Sequence, residues 1–186
     1  MNKAEIRKIC KEKRNSMFID DVTEKSTMAS KLFLSSEIYK NSKYIMLYMP
    51  LGNETDTSLI LDLALHEGKR VVLPVTDVDN TDIIPCTVSK DTSFKIGSYN
   101  IIEPDKNEKV NKTEIDVILV PGIAFGRNGA RVGFGKGYYD KFLKGTKAIK
   151  VGFCYEFQLF DEIDADIHDI PMDYIVTENS ITKISC

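Results

Sequence analysis

The sequence predicts an α/β fold, a mostly parallel central sheet flanked by helices on both faces. Three observations carry that reading. Short β-branched runs alternate with amphipathic helical patterns along the chain. Several of those runs are apolar throughout, as strands buried on both faces are. Six of the eleven glycines crowd into Gly122–Gly137, just after an apolar strand, where open α/β sheets bind their ligands.

In chain order, residues 3–17 carry Ile6, Ile9, Cys10 and Met17 at helical spacing. A second helical pattern starts at Asp20 and runs to Tyr39. Tyr44–Met49 is a short apolar run stopped by Pro50, a buried strand. Thr57–Glu67 sets Leu59, Ile60, Leu63 and Ala64 on one face and ends at Gly68, the usual glycine stop of a helix. Arg70–Pro74 is a β-branched strand. Residues 76–114 are polar and irregular, with a strand at Ile83–Val88 and a short hairpin. Asp116–Pro121 is a central strand, Tyr138–Leu143 begins a helix, and Ala148–Phe153 and Tyr174–Val176 are late strands. No repeat, low-complexity segment or linker divides the chain, so residues 1–186 are expected to form a single layered domain.

Composition excludes several roles. Twenty-five Lys and Arg against 28 Asp and Glu give a formal charge of −3, which argues against nucleic-acid coating or a polybasic membrane surface. No apolar run approaches the roughly 18 residues needed to span a bilayer. The polar start, Met1-Asn2-Lys3-Ala4-Glu5, lacks a signal-peptide apolar core, so the expectation is a cytoplasmic monomer acting on a small molecule. The four cysteines, Cys10, Cys86, Cys154 and Cys186, form no Cys-x-x-Cys pair, which argues against zinc and against a disulfide framework. Cys10 and Cys154 read as small buried hydrophobes. Of the two histidines, His66 reads as a helix-end surface residue and His168 as part of an acidic loop, leaving little for triad chemistry.

The chemistry concentrates in the glycine stretch. Glycines past a strand end let backbone N–H groups approach an anion, and Arg131 and Lys136 add two cations. We read a phosphate cradle. It is not a P-loop: with Lys136 as the lysine, the first glycine would fall on Ala130, and Gly137 stands where Ser or Thr is needed. The N-terminal helix is basic, with a net of +4 over residues 1–14. At about 100° per residue, Lys3, Arg7 and Arg14 share one narrow sector that could close over phosphate oxygens. Residues 155–173 are the opposite, with seven acids and no Lys or Arg. A Mg²⁺ ion uses one or two carboxylates plus phosphate oxygens, and Asp140 and Asp169 are the candidates. Glu54, between a strand end and a helix, can accept hydrogen bonds from a ring N–H or an amino group. The competing reading is that Thr55 or Asp56 simply caps the following helix.

The run Pro121-Gly122-x-Ala124-Phe125 … Gly129-x-Arg131-x-Gly133-Phe134-Gly135-Lys136-Gly137-Tyr138-Tyr139-Asp140 resembles the signature of the 5-formyltetrahydrofolate cyclo-ligase family, also called 5,10-methenyltetrahydrofolate synthetases. Lys3-x-x-x-Arg7, Glu54-Thr55 and His168-Asp169-x-x-x-Asp173 match in the expected order and span nearly the whole chain. The resemblance implies a Rossmann-like, sugar-phosphate isomerase-like topology. It also implies ATP- and Mg²⁺-dependent cyclisation of 5-formyltetrahydrofolate to 5,10-methenyltetrahydrofolate, ADP and phosphate. In that scheme the formyl oxygen is phosphorylated and N10 of the folate then attacks. By position it implies Lys3, Arg7 and Arg131–Tyr139 (Arg131, Gly133, Phe134, Gly135, Lys136, Gly137, Tyr138 and Tyr139) on ATP. Met49, Glu54 and Phe134–Tyr138 fall on the folate, Asp140 and Asp169 on Mg²⁺, and Arg131, Lys136 and Tyr138 at the chemistry. Phe134 stands where the family often has Tyr or Arg, and Val132 where Leu is usual. Two other readings stay open: a sugar-phosphate isomerase-like enzyme with Glu54 as base, and a non-catalytic folate- or nucleotide-binding module.

Overall fold

The computed structural model describes residues 1–105 and 108–185, so Cys186 lies outside the described residues. The elements, in order, are α1 (Lys3–Asn15), α2 (Ile19–Ser35), α3 (Glu37–Asn41), β1 (Tyr44–Met46), α4 (Ser58–His66), β2 (Arg70–Asp77), β3 (Asp82–Val88), β4 (Phe94–Ile96), β5 (Ile102–Pro104), β6 (Glu108–Lys109), β7 (Val117–Val120), β8 (Ala124–Gly126), β9 (Arg131–Val132), α5 (Tyr138–Leu143), β10 (Ile149–Phe153), β11 (Leu159–Phe160), β12 (Tyr174–Val176) and β13 (Ile181–Lys183). The helix expected from Asp20 to Tyr39 is two. Ser36 adopts an extended conformation and its side chain accepts the Tyr39 N–H, ending one helix and capping the next.

Eight strands form one sheet in the order β13-β12-β10-β7-β1-β2-β3-β6. The five middle strands run parallel, and β13, β3 and β6 add antiparallel edges, so the sheet is mixed around a parallel centre. Strand pleating sends alternate residues to opposite faces. Ile45, Val71, Leu73, Val117, Leu119 and Val151 meet α2–α4 on one face. Met46, Val72, Ile118, Val120 and Ile175 face the other way, toward Phe142 and Leu143 of α5. That second face departs from the expected helical layer. A single short helix cannot cover it, and a three-stranded sheet, β11-β8-β9, completes the cover. Helix α1 then packs Ile6 and Cys10 on Ala124, Ala130 and Val132 at the outside of this small sheet. Its strands are two or three residues long, too short to announce themselves by alternation.

Phe125 of β8 joins the two sheets. Its ring lies against the bare backbone of Gly122 and Gly152, where an added Cβ would approach it to 2.6 Å at either glycine. Here glycine is required for space and not for dihedral freedom. Gly152→Ala should therefore overpack the core by about 1–3 kcal/mol and lower the thermal midpoint by several degrees. An unchanged midpoint in calorimetry would mean that the ring moves aside freely.

Candidate functional site

The strand order reverses between β1 and β7, one followed in sequence by β2 on its far side and the other by β10. Chains leaving such neighbours diverge and open a crevice beyond their carboxyl ends. A cleft of about 430 Å³ lies there, lined by Tyr48 and Met49 after β1, Pro74 and Thr76 of β2, and Pro121 after β7. The residues that the family resemblance implies at the site all line it: Lys3, Arg7, Met49, Glu54, Arg131, Gly133, Phe134, Gly135, Lys136, Gly137, Tyr138, Tyr139, Asp140 and Asp169; Arg14, the third member of the basic stripe, does not.

The glycine loop forms one wall. Among the described residues, the main-chain N–H groups of Gly133 to Gly137 donate to no protein acceptor. Gly135 (φ +95°) and Gly137 (φ +73°) are left-handed with open space around them, so backbone conformation is what demands glycine there. Arg7 Nε donates to the Gly133 carbonyl at 2.9 Å and anchors the start of the loop to α1. The helix that follows has only six residues and a cap without a side chain, so the field of its N-terminal dipole is weak. Cations carry the positive field instead. Arg131 is buried, with Nη2 donating to Asp140 Oδ2 at 2.9 Å, Nη1 to the Pro121 carbonyl at 3.3 Å, and Nε without a hydrogen-bond partner among the described residues. Lys136 is exposed, with its ammonium 3.7 Å from the centre of the Tyr99 ring.

Tyr99 was not legible from sequence. It sits between β4 and β5 with φ +58°, followed by Asn100 at +60°, a strained pair held over the cleft. Its hydroxyl lies 3.1 Å from that of Tyr138. The Tyr138 contact, with Lys136 alongside, lowers the Tyr99 pKa, and the same contact pushes Tyr138 up to about 12. Tyr48, Leu51, Thr76, Ile83, Ile101 and Asp166 also line the cleft without having shown a motif.

Lys3 and Asp169, expected on ATP and on Mg²⁺, are partners. The Lys3 ammonium sits 2.5 Å from both Asp169 Oδ2 and Asp166 Oδ2. Burial alone would lower the lysine pKa, but the two carboxylates outweigh it and raise it. Burial likewise pulls Asp169 upward, and the Lys3 hydrogen bond with the Asp166 N–H wins and lowers it. The expected Mg²⁺ carboxylates are thus each hydrogen-bonded through Oδ2, Asp140 to Arg131 and Asp169 to Lys3. No group of three potential metal ligands occurs among the described residues. That donor set fits an ion taking most of its shell from phosphate and water, as Mg²⁺ does, and not a protein cage.

Glu54 lines the same cleft. Helix capping falls to Asp56, whose Oδ1 accepts the Ser58 N–H at 2.7 Å, so Glu54 is free of that task. Glu54 Oε2 accepts the Leu51 N–H at 2.9 Å, while Oε1 is buried without a hydrogen bond among the described residues. Burial pushes the carboxyl above the usual range, opposed by the Leu51 N–H and by Arg14. Arg14 corrects the expected basic stripe. Lys3 and Arg7 reach the loop and the acids, but Arg14 turns to Glu54, with Nη1 3.5 Å from Oε1. The cleft thus pairs a cationic, amide-lined end suited to a polyanion with a buried acceptor suited to a ring bearing N–H groups.

This geometry has relatives. A 5,10-methenyltetrahydrofolate synthetase of Aquifex aeolicus superposes with a TM-score of 0.89 at 36% identity, covering 100% of this chain and 94% of that one. The synthetase of Mycoplasma pneumoniae gives 0.77 at 26% identity, over 96% and 99%. The 5-formyltetrahydrofolate cyclo-ligase of Saccharomyces cerevisiae is 30% identical over 92% of each chain. The sequence profile of the 5-formyltetrahydrofolate cyclo-ligase family matches residues 1–178, and the chain belongs to that family.

Proposed function

We propose that this enzyme cyclises 5-formyltetrahydrofolate to 5,10-methenyltetrahydrofolate using ATP and Mg²⁺. The observation that carries the proposal is that one cleft holds both the loop amides and Glu54 Oε1, none of which has a hydrogen bond among the described residues. Bound ATP with Mg²⁺ supplies the phosphoryl group that turns a formyl oxygen into a leaving group.

The chain's own residues bind, align and exclude water. The Gly133–Gly137 amides, Lys136 and Arg7 line the cleft and would hold the phosphates, and Arg131 fixes Asp140 in the same cleft through a hydrogen bond. Lys3 lowers the pKa of Asp169, and Asp140 and Asp169 are the carboxylates that would hold a Mg²⁺ ion together with the phosphates. Glu54 accepts from the pterin ring, with Met49 on the same wall. Tyr138 and Lys136 line the same cleft and are assigned to the charge that develops on the formyl group. No histidine or cysteine nucleophile is required, in keeping with buried Cys10 and Cys154 and exposed His66 and His168.

Incubation with 5-formyltetrahydrofolate, ATP and Mg²⁺ should yield methenyl absorbance and ADP in equal amounts. Turnover without ATP would favour the isomerase-like reading, and binding without phosphate release a non-catalytic module; either would overturn the proposal. Lys136→Ala should leave the fold intact, since the side chain is exposed, and lower kcat/KM for ATP by about 10²–10³; an unchanged value would exclude the cradle.

Glu54 must be ionised to accept two ring hydrogens. With its pKa raised, the carboxylate is lost as pH falls through a value above the ordinary glutamate range. Folate kcat/KM should show an acid limb there, and Glu54→Gln should lower the plateau and remove the limb. A limb that survives in the variant would belong to another group.

A further inference from the structure

Arg14 is an arginine on α1 that the catalytic scheme leaves unused, yet it is buried beside the cleft. Three contacts define its position. Its Nη1 stands 3.5 Å from Glu54 Oε1. Its guanidinium lies 5.6 Å from the centre of the Phe134 ring, at the exposed turn of the glycine loop. Its own carbonyl accepts the Asn53 side-chain N–H at 2.9 Å, tying α1 to the residue before Glu54. We propose that Arg14 is a positioning residue: one guanidinium keeps the Glu54 carboxylate charged and aimed into the cleft and holds Phe134 over it, so that the folate end and the phosphate end are organised by a single side chain.

The physical case rests on what burial would otherwise do. A carboxyl this enclosed favours its neutral form, and the neutral form cannot accept two ring hydrogens. Besides the Leu51 N–H, which donates to Oε2 and is the stronger of the two groups favouring the carboxylate, the groups facing Glu54 are Arg14 from α1, the Tyr48 hydroxyl beyond β1, Tyr139 from α5, and the Tyr155 hydroxyl, which donates to the Glu54 carbonyl at 3.2 Å. Of these only Arg14 is positively charged. The 3.5 Å separation supplies charge without a directional bond to Oε1, so that oxygen stays open to a ligand. A planar guanidinium can serve an ion pair at its edge and an aromatic ring at its face together, which an ammonium does less well. Lys11 also lies 5.6 Å from the Phe134 ring but is exposed, and among the described residues it has no ion pair to Glu54.

This inference rests on the reading of Glu54 as the folate acceptor, and two measurements separate the two. A ¹³C titration of the Glu54 carboxyl in the ligand-free protein needs no activity. It should move up by about one unit in Arg14→Gln and stay near the parent value in Arg14→Lys, because lysine keeps the charge. Kinetically, Arg14→Gln should raise KM for 5-formyltetrahydrofolate about tenfold with a smaller change in kcat and shift the acid limb with the titration. The double variant Arg14→Gln/Glu54→Gln should be no worse than Glu54→Gln alone. An unmoved Glu54 titration in folded Arg14→Gln, equal shifts in the Gln and Lys variants, or additive losses in the double variant would each overturn the proposal. If Arg14→Gln does not fold, Arg14→Lys decides: a titration displaced by a full unit there removes the charge argument. If the titration shifts as expected but Glu54→Gln keeps full folate kcat/KM, the folate reading fails, and with it Arg14's role in catalysis.

Discussion

Five consecutive backbone amides with no acceptor among the described residues are the constraint on which this structure turns. A main-chain N–H must be satisfied by protein, water or ligand, and most loops settle the matter internally. Here Gly133 to Gly137 are prevented from doing so. β9 is committed to β8 up to Val132, Arg7 grips the Gly133 carbonyl, the left-handed dihedrals at Gly135 and Gly137 turn successive peptides outward, and α5 begins at Tyr138. The small sheet, the N-terminal helix and the Phe125 contact with Gly122 and Gly152 together hold the loop open.

Charge is arranged around that loop in balanced pairs. Lys3 is matched by Asp166 and Asp169, Arg131 by Asp140, and Arg14 by Glu54. Such pairs add little net stability when partly buried, because desolvation offsets the Coulomb attraction. Their effect is placement, since each holds a charged group within reach of the cleft in a defined protonation state. Lys136 differs. It is exposed and rests on an aromatic ring, a contact weak enough to exchange for a phosphate oxygen.

Legibility from sequence followed the range of the interactions. The parallel centre, most strands, the short helix at Tyr138–Leu143 and all the residues in the glycine loop were readable, because each depends on local periodicity or a dense motif. The three-stranded sheet was not, since strands of two or three residues carry no pattern. Ser36 split an apparently continuous helix through a single side-chain bond. Whether the Glu54 segment serves a ligand or only caps the next helix through Thr55 or Asp56 was open in the sequence, and the fold gives the Ser58 N–H to Asp56.

By itself, then, the sequence determined the layered class, the location of the phosphate-like loop and the family resemblance, all properties of neighbours along the chain. Tertiary structure alone decided which charges meet. Lys3 and Asp169 are 166 residues apart and share a hydrogen bond, Arg14 faces a carboxylate and not a phosphate, and Tyr99 reaches the cleft from a strained turn. Coulomb energies and hydrogen bonds depend on separations of a few ångströms in space, and only the folded chain sets those distances.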